Sequence, residues 1–273
     1  MLGASRASLA AAQGRLTQLA GSGGVDLDAL SVDLFGVATL LSRELPLRRA
    51  MADPSTDERA KAALVNGLLG PRVTPPALAL LVELVGSRWS RPHDLVDAVE
   101  TLAVLASFEQ ANNSGDLDDV EDQLFRFGRI IERDNGLRDA LSDRNLPDER
   151  KRELLEALLA DKVGPMALRV ISAAAMTSGR RHIAAALDSF SRLAAELRER
   201  VNARVTLAVE PDPDQMERLA QELSRVYGRR IGLRIEVDPT IVGGLVIRVG
   251  DQILDATIRR RLEGARRGLA PRY

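Results

Sequence analysis

Apolar residues in the first two thirds of the chain recur with the period of a helix. Leu30, Leu34, Val37 and Leu41 are spaced i, i+4, i+7 and i+11. That places them on one stripe of an amphipathic helix, which must pack against other helices. Val120, Leu124, Phe127 and Ile131 repeat the spacing. The repetition is wider than this stripe. Residues 34–91 and 124–181 align without a gap at an offset of 90, with sixteen of 58 positions identical. Leu and Ala identities come cheaply in this composition. Phe35/Phe125, Arg43/Arg133, Asp53/Asp143, Lys61/Lys151 and Pro75/Pro165 do not.

Breakers punctuate both copies: Pro46, Pro54 and Gly70 in the first, with Gly136, Pro147 and Gly164 as rough counterparts. Ser55 and Glu58 have the spacing of a capping box, predicting a helix that runs to about Leu69. Thr74 before Pro75 predicts an N-cap with proline in the first helical turn, and a helix to about Ser87. Long helices are predicted over 92–111 and 180–201. Each copy is then a bundle of five or six short helices; two repeats are few for a solenoid.

After about Asn202 the period changes from helical to alternating. Val205, Leu207 and Val209 alternate with Arg204, Thr206 and Ala208, the pattern of a strand with one buried face. Asp214 is placed to cap a helix over 215–227. Further strands are predicted over 231–237, 245–249 and 252–255, with Gly250-Asp251 as a tight turn between the last two and the strands pairing largely as hairpins. An Arg-rich helix over 256–267 closes the chain. The predicted fold class is mainly α with a C-terminal α/β domain: helical bundles at 1–107 and 108–202, then a small sheet-containing domain at 203–273.

Composition removes several chemistries. The chain has no Cys and two His, so thiolate and multi-His metal sites are excluded. Thirty-eight basic residues balance 39 acidic ones, which argues against a nucleic-acid binder. There is no P-loop, G-x-G-x-x-G or G-x-S-x-G motif, and no cofactor, metal or catalytic constellation is expected. Gly243-Gly244 lies within a strand pattern and reads as a bulge or close backbone approach rather than a phosphate cradle. Asp116, Asp118 and Asp119 open a helix, where negative charge suits the helix dipole. His93 and His182 sit near helix starts, in surface or turn roles. Trp89 is expected to anchor helices together. Arg259, Arg260, Arg261, Arg266 and Arg267 read as a solvated helix face. No segment approaches the ~20 apolar residues of a membrane span, and the first residues lack a signal-peptide pattern. The expectation is a soluble, cytoplasmic chain, with any membrane location arising through a partner.

The stretch over 237–269 carries a longer pattern: Asp238-Pro239, the apolar pair Ile241 and Val242, Gly243-Gly244, Leu245 and Ile247, Gly250-Asp251, then Asp255, Thr257, Ile258, Arg259, Arg261 and Leu262. This resembles the C-terminal signature of the delta subunits of F-type ATP synthases, the family of the mitochondrial oligomycin-sensitivity-conferring protein. The resemblance reaches upstream to about Asp116. The extra helical copy departs from the usual single one and looks like the duplicated forms of actinobacteria, which the Arg-heavy, Lys-poor composition fits.

The resemblance implies a non-catalytic stator subunit that ties the α subunits of the catalytic head to the b subunits of the peripheral stalk. Proton-driven rotation is thereby coupled to ATP synthesis. It implies one copy per complex at the cytoplasmic face of the plasma membrane, with b a separate chain, no nucleic acid and no direct membrane insertion. On the b side it points to Gly243, Gly244, Arg248, Asp255 and Arg259. For grooves receiving helices of the α subunits, the apolar candidates are Leu9, Leu16, Leu78, Leu81, Val170 and Ala174. Which copy holds α stays open. The rival readings are an unrelated helical adaptor with a ligand-sensing C-terminal domain, and an enzyme using Asp/Glu acid–base chemistry.

Overall fold

The computed structural model describes residues 1, 3–21, 24–143, 145–177, 182–209, 211–228, 231–241, 243–249 and 252–255. The closing helix over 256–267 and the Gly250-Asp251 turn lie outside the described residues. The chain forms two compact units, Met1–Ala195 and Glu196–Tyr273.

The first unit is helical. After α1 (Gly3–Gly21), five helices follow in order: α2 (Leu27–Arg43), α3 (Leu45–Ala52), α4 (Glu58–Leu69), α5 (Pro75–Gly86) and α6 (Pro92–Ser114). The order then repeats as α7 (Leu117–Arg133), α8 (Asn135–Ser142), α9 (Asp148–Leu159), α10 (Pro165–Thr177) and α11 (Ile183–Val201). The first three helices of each set begin and end 90 residues apart, with lengths of 17, 8 and 12 residues in both. The predicted stripes are the buried faces: Leu30, Leu34, Val37 and Leu41 on α2, Val120, Leu124, Phe127 and Ile131 on α7.

The first copy's core closes around α6. Ser31 of α2 donates to the Ala103 carbonyl at 3.0 Å, and its hydroxyl lies 2.6 Å from that of Ser107. With Ala38, Ala103 and Ala106 also buried, small side chains let α2 and α6 pack backbone to backbone. Trp89 is buried, its indole N–H donating to the Leu84 carbonyl at 2.7 Å. Ser5 of α1 donates to Asp94 of α6 at 2.7 Å and accepts the Ser90 N–H at 2.8 Å. Gly115 ends α6 in the left-handed region, φ 90°, a conformation open to glycine at no steric cost.

Several local expectations are corrected. Ser55 does not cap α4. Asp57 does, accepting the Arg59 N–H, while Ser55 turns back to donate to Asp53. Pro46 starts α3 rather than breaking the chain. Thr74 is the N-cap residue of α5, but its side chain makes no cap bond; its own N–H goes to Asp33. Asp116 likewise precedes α7 without a side-chain cap bond, with Asp118 and Asp119 in the first turn.

The second unit holds β1 (Asn202–Leu207), α12 (Pro213–Tyr227), β2 (Gly232–Val237), β3 (Leu245–Val249) and β4 (Gln252–Asp255) in the sheet order β2-β1-β3-β4. The hairpin expectation holds only for β3 and β4. β1 and β2 pair in parallel, with α12 as the crossover. Asp212, not Asp214, caps α12. Ala203, Val205, Ile247 and Val249 form the buried face with Leu223 of α12. Val209 falls beyond β1 and is exposed.

Candidate functional site

The residues expected to contact partners fall on both units. On α1 and α5, Leu9 and Leu78 are half-buried, whereas Leu16 and Leu81 are fully buried. Val170 and Ala174 of α10 are also fully buried. The structure thus sinks four of the six groove candidates into its own core, leaving Leu9 and Leu78 with surface to offer.

On the second unit, Gly243 and Gly244 do not lie within a strand. They form the end of the turn that carries the chain from β2 past the end of β1 into β3. Both have positive φ, 63° and 83°, where a Cβ is strained. The turn is held from its other end: the Asp238 N–H reaches the Leu207 carbonyl at 2.8 Å, and the Asp238 carboxylate accepts the Thr240 hydroxyl at 2.7 Å and N–H at 2.9 Å. The two bonds from Thr240 hold the Asp238 carboxyl below the usual carboxylate range, the hydroxyl contributing most. The signature D-P-x-x-x-G-G is therefore a turn, capped by the Asp and closed by the glycines.

Arg248 is exposed on β3, opposite Arg204 on one side and Ile253 on the other. Arg204 pairs across to Glu236 of β2 at 3.3 Å. Arg204, Glu236, Arg248 and Ile253 make one open face of the sheet, mixed in charge with an apolar edge. Asp255 ends β4, opposite Val246. Arg259 lies outside the described residues.

One feature of the first unit escaped the sequence reading. A cavity of about 730 Å³ opens between the copies, lined by Phe35 and Arg43 of α2, Arg48 of α3, His93 and Glu100 of α6, Lys151 and Glu156 of α9, and Leu168, Arg169 and Met176 of α10. Arg43 pairs with Asp148 across it at 2.5 Å, which raises the guanidinium above its ordinary value. Among the described residues, no group of three or more His, Asp or Glu side chains gathers to hold a metal ion. No described helix is long and apolar enough to cross a membrane.

A capped D-P…G-G turn on a small mixed sheet, carried by a duplicated helical unit, matches a known family. The family model described as ATP synthase delta (OSCP) subunit matches residues 104–269. The chain is 45% identical to the ATP synthase subunit delta of Streptomyces griseus over 99% of this chain and 100% of that one. It is 43% identical to the subunit of the same name from Kineococcus radiotolerans, covering 98% and 97%, and to that of Thermobifida fusca, covering 99% and 100%. The chain belongs to the ATP synthase delta (OSCP) subunit family. Its place is the peripheral stalk of an F-type ATP synthase, a complex of the membrane with which it associates peripherally. The near full-length match sets aside the unrelated adaptor.

Proposed function

We propose that this subunit is a non-catalytic coupling element at the cytoplasmic face of the membrane, with its labour divided along the chain. The subunit binds the α subunits of the catalytic head and the b subunits of the stalk. In this reading the helical copies, 1–107 and 108–202, face the head, and the sheet domain, 203–273, faces b through the open face around Arg248 and the turn at Gly243-Gly244. The observation that carries the reading is the extent of the family match, which takes in a helical copy and the sheet together.

The mechanism is mechanical. The rotor turns against the head, and ATP synthesis needs the head held still against that torque. Hydrolysis by a detached head needs no such hold. Two attachment surfaces on one chain make the second contact effectively intramolecular, which raises its effective concentration.

The test uses membranes stripped of their heads, then reconstituted with purified heads with and without this chain. The expected result is that ATP synthesis and ATP-driven proton pumping depend on the chain, whereas head hydrolysis does not. The isolated chain should neither turn over ATP nor bind it stoichiometrically in calorimetry. Coupled synthesis at full rate without the chain would overturn the reading.

A further inference from the structure

The cavity between the copies holds charge away from water. Arg48, Glu100 and Lys151 line it and are themselves buried, 7%, 1% and 2% exposed. The other charges on its walls stand nearer solvent. Of these, Arg43 pairs with Asp148, Arg169 with Asp28 and Arg152 with Glu149. Such pairs are screened and largely cancel. A buried charge is screened far less, so the buried three set the sign: two cations against one carboxylate. The Arg48 guanidinium donates to the Leu41 and Ser42 carbonyls, both at 3.2 Å, which fix it without cancelling its charge. Burial costs the Lys151 ammonium more than Asp148 and Asp143 return, and holds it below its ordinary value. Asp148, the partner of Arg43, thus acts on Lys151 as well, so the end of α2, where α3 follows with Arg48, meets the first turns of α9.

The rest of the lining is largely apolar: Phe35 and Ala38 from α2, and Pro165, Leu168, Ala173 and Met176 from α10. It runs from Phe35 to Arg43 on α2 and from Asp148 to Glu156 on α9, about 12 Å of helix each. Small residues on α2 keep the space open. Gly36 and Thr39 stand where α7 has Arg126 and Arg129. A Cβ added at Gly36 meets nothing within 4 Å, so close packing does not account for the glycine.

We propose that this cavity is a binding site for an organic monoanion with an apolar body, of the class of a medium-chain carboxylate. Its volume of about 730 Å³ lies within the ~300–1,000 Å³ of small-ligand sites, whose usual make-up is apolar walls with a few fixed polar groups. The carboxylate balances the excess charge of Arg48 and Lys151, and the chain lies along Phe35 and Leu168. Both copies supply walls, so an occupant ties one copy to the other. None of this depends on which face meets the head.

The experiment uses the full-length chain, with calorimetry and melting curves in decanoate, its neutral analogue decanamide, and acetate. Decanoate should bind once per chain and raise the melting temperature. It should outbind decanamide, which lacks the charge, and acetate, which lacks the chain, by about tenfold or more. Lys151→Met should lose about tenfold or more in decanoate affinity. Gly36→Leu puts a side chain into the open space, so it should melt no lower than the parent yet abolish binding. Decanoate affinity unchanged in either folded variant overturns the proposal, as does equal affinity for decanamide or no binding at millimolar decanoate. Several decanoates per chain with a falling melting temperature would be surfactant action, and overturns it too.

Discussion

Lys61 and Lys151 stand 90 residues apart at the same position of α4 and α9, and both are buried, 4% and 2% exposed. Each lies in the field of the aspartate at the matching register, Asp53 or Asp143. A long ammonium side chain is seldom sunk so far, and the duplication has kept it twice.

The burial of Lys151 makes alkaline stability a readout. Burial pushes the Lys151 ammonium below its ordinary value, opposed by Asp148 and Asp143. The unfolded chain then binds more protons, so stability rises as pH climbs through the lowered value and levels off above about 10.4. Lys151→Met should remove that rise. Urea melts of both proteins between about pH 7 and 10 measure it, and equal slopes would contradict it.

Asp53 predicts the opposite end of the scale. The Ser55 N–H, then the Ser55 hydroxyl, hold its carboxyl below the usual range. Its contribution is therefore present above about pH 3.9 and lost as pH falls through the lower folded value. Asp53→Asn should be less stable than the parent at neutral pH, with the gap closing in acid. A gap unchanged at about pH 2 would show that the carboxylate's charge is not the source.

Core and seam should differ sharply in weight. Leu34 and Leu124 are equivalent and fully buried, so each change to alanine should cost about 2–5 kcal/mol. The Arg43–Asp148 pair joins the copies, but Arg43 is half exposed. A double-mutant cycle should return a coupling of at most about 1 kcal/mol. Denaturant melts give both numbers; a coupling comparable to the leucine losses would make the ion pair, rather than apolar burial, the main tie between copies.

Gly244→Val places a β-branched residue at φ 83°. Strain of that kind costs about 1–3 kcal/mol. The sheet unit should loosen, with weaker b binding, while the helical unit melts as before. Hydrogen exchange resolves the two. Unchanged protection of β1 and β3 together with unchanged b affinity would make the pair incidental.

Helices were legible in the sequence wherever burial is one-sided. The stripes on α2 and α7 and the offset of 90 carried the order of the helical unit, because a 3.6-residue period admits one buried face. Caps were less so: Ser55 and Asp57 both have a side-chain oxygen within reach of a helix start, and only the approach of the chain selects Asp57. Alternation in β1 and β2 tells which face is inward, not which way the neighbour runs. The helix between them, long enough for a crossover, was the missed clue to parallel pairing. The cavity was illegible for a different reason. It lies between copies, and the repeat describes what each copy shares, not how one lies on the other.

α6 runs unbroken for 23 residues, from the last helix of the first copy to the threshold of the second. A loop at that junction would act as a swivel and store part of each rotor step as elastic lag. A continuous helix, its polar backbone bonded along its length and its flank pinned by Ser31 and Ser107, yields far less to a twisting load. In the proposed role, stiffness at this joint limits how far the two copies shear under torque, and so how far the head is dragged round with the rotor at each step.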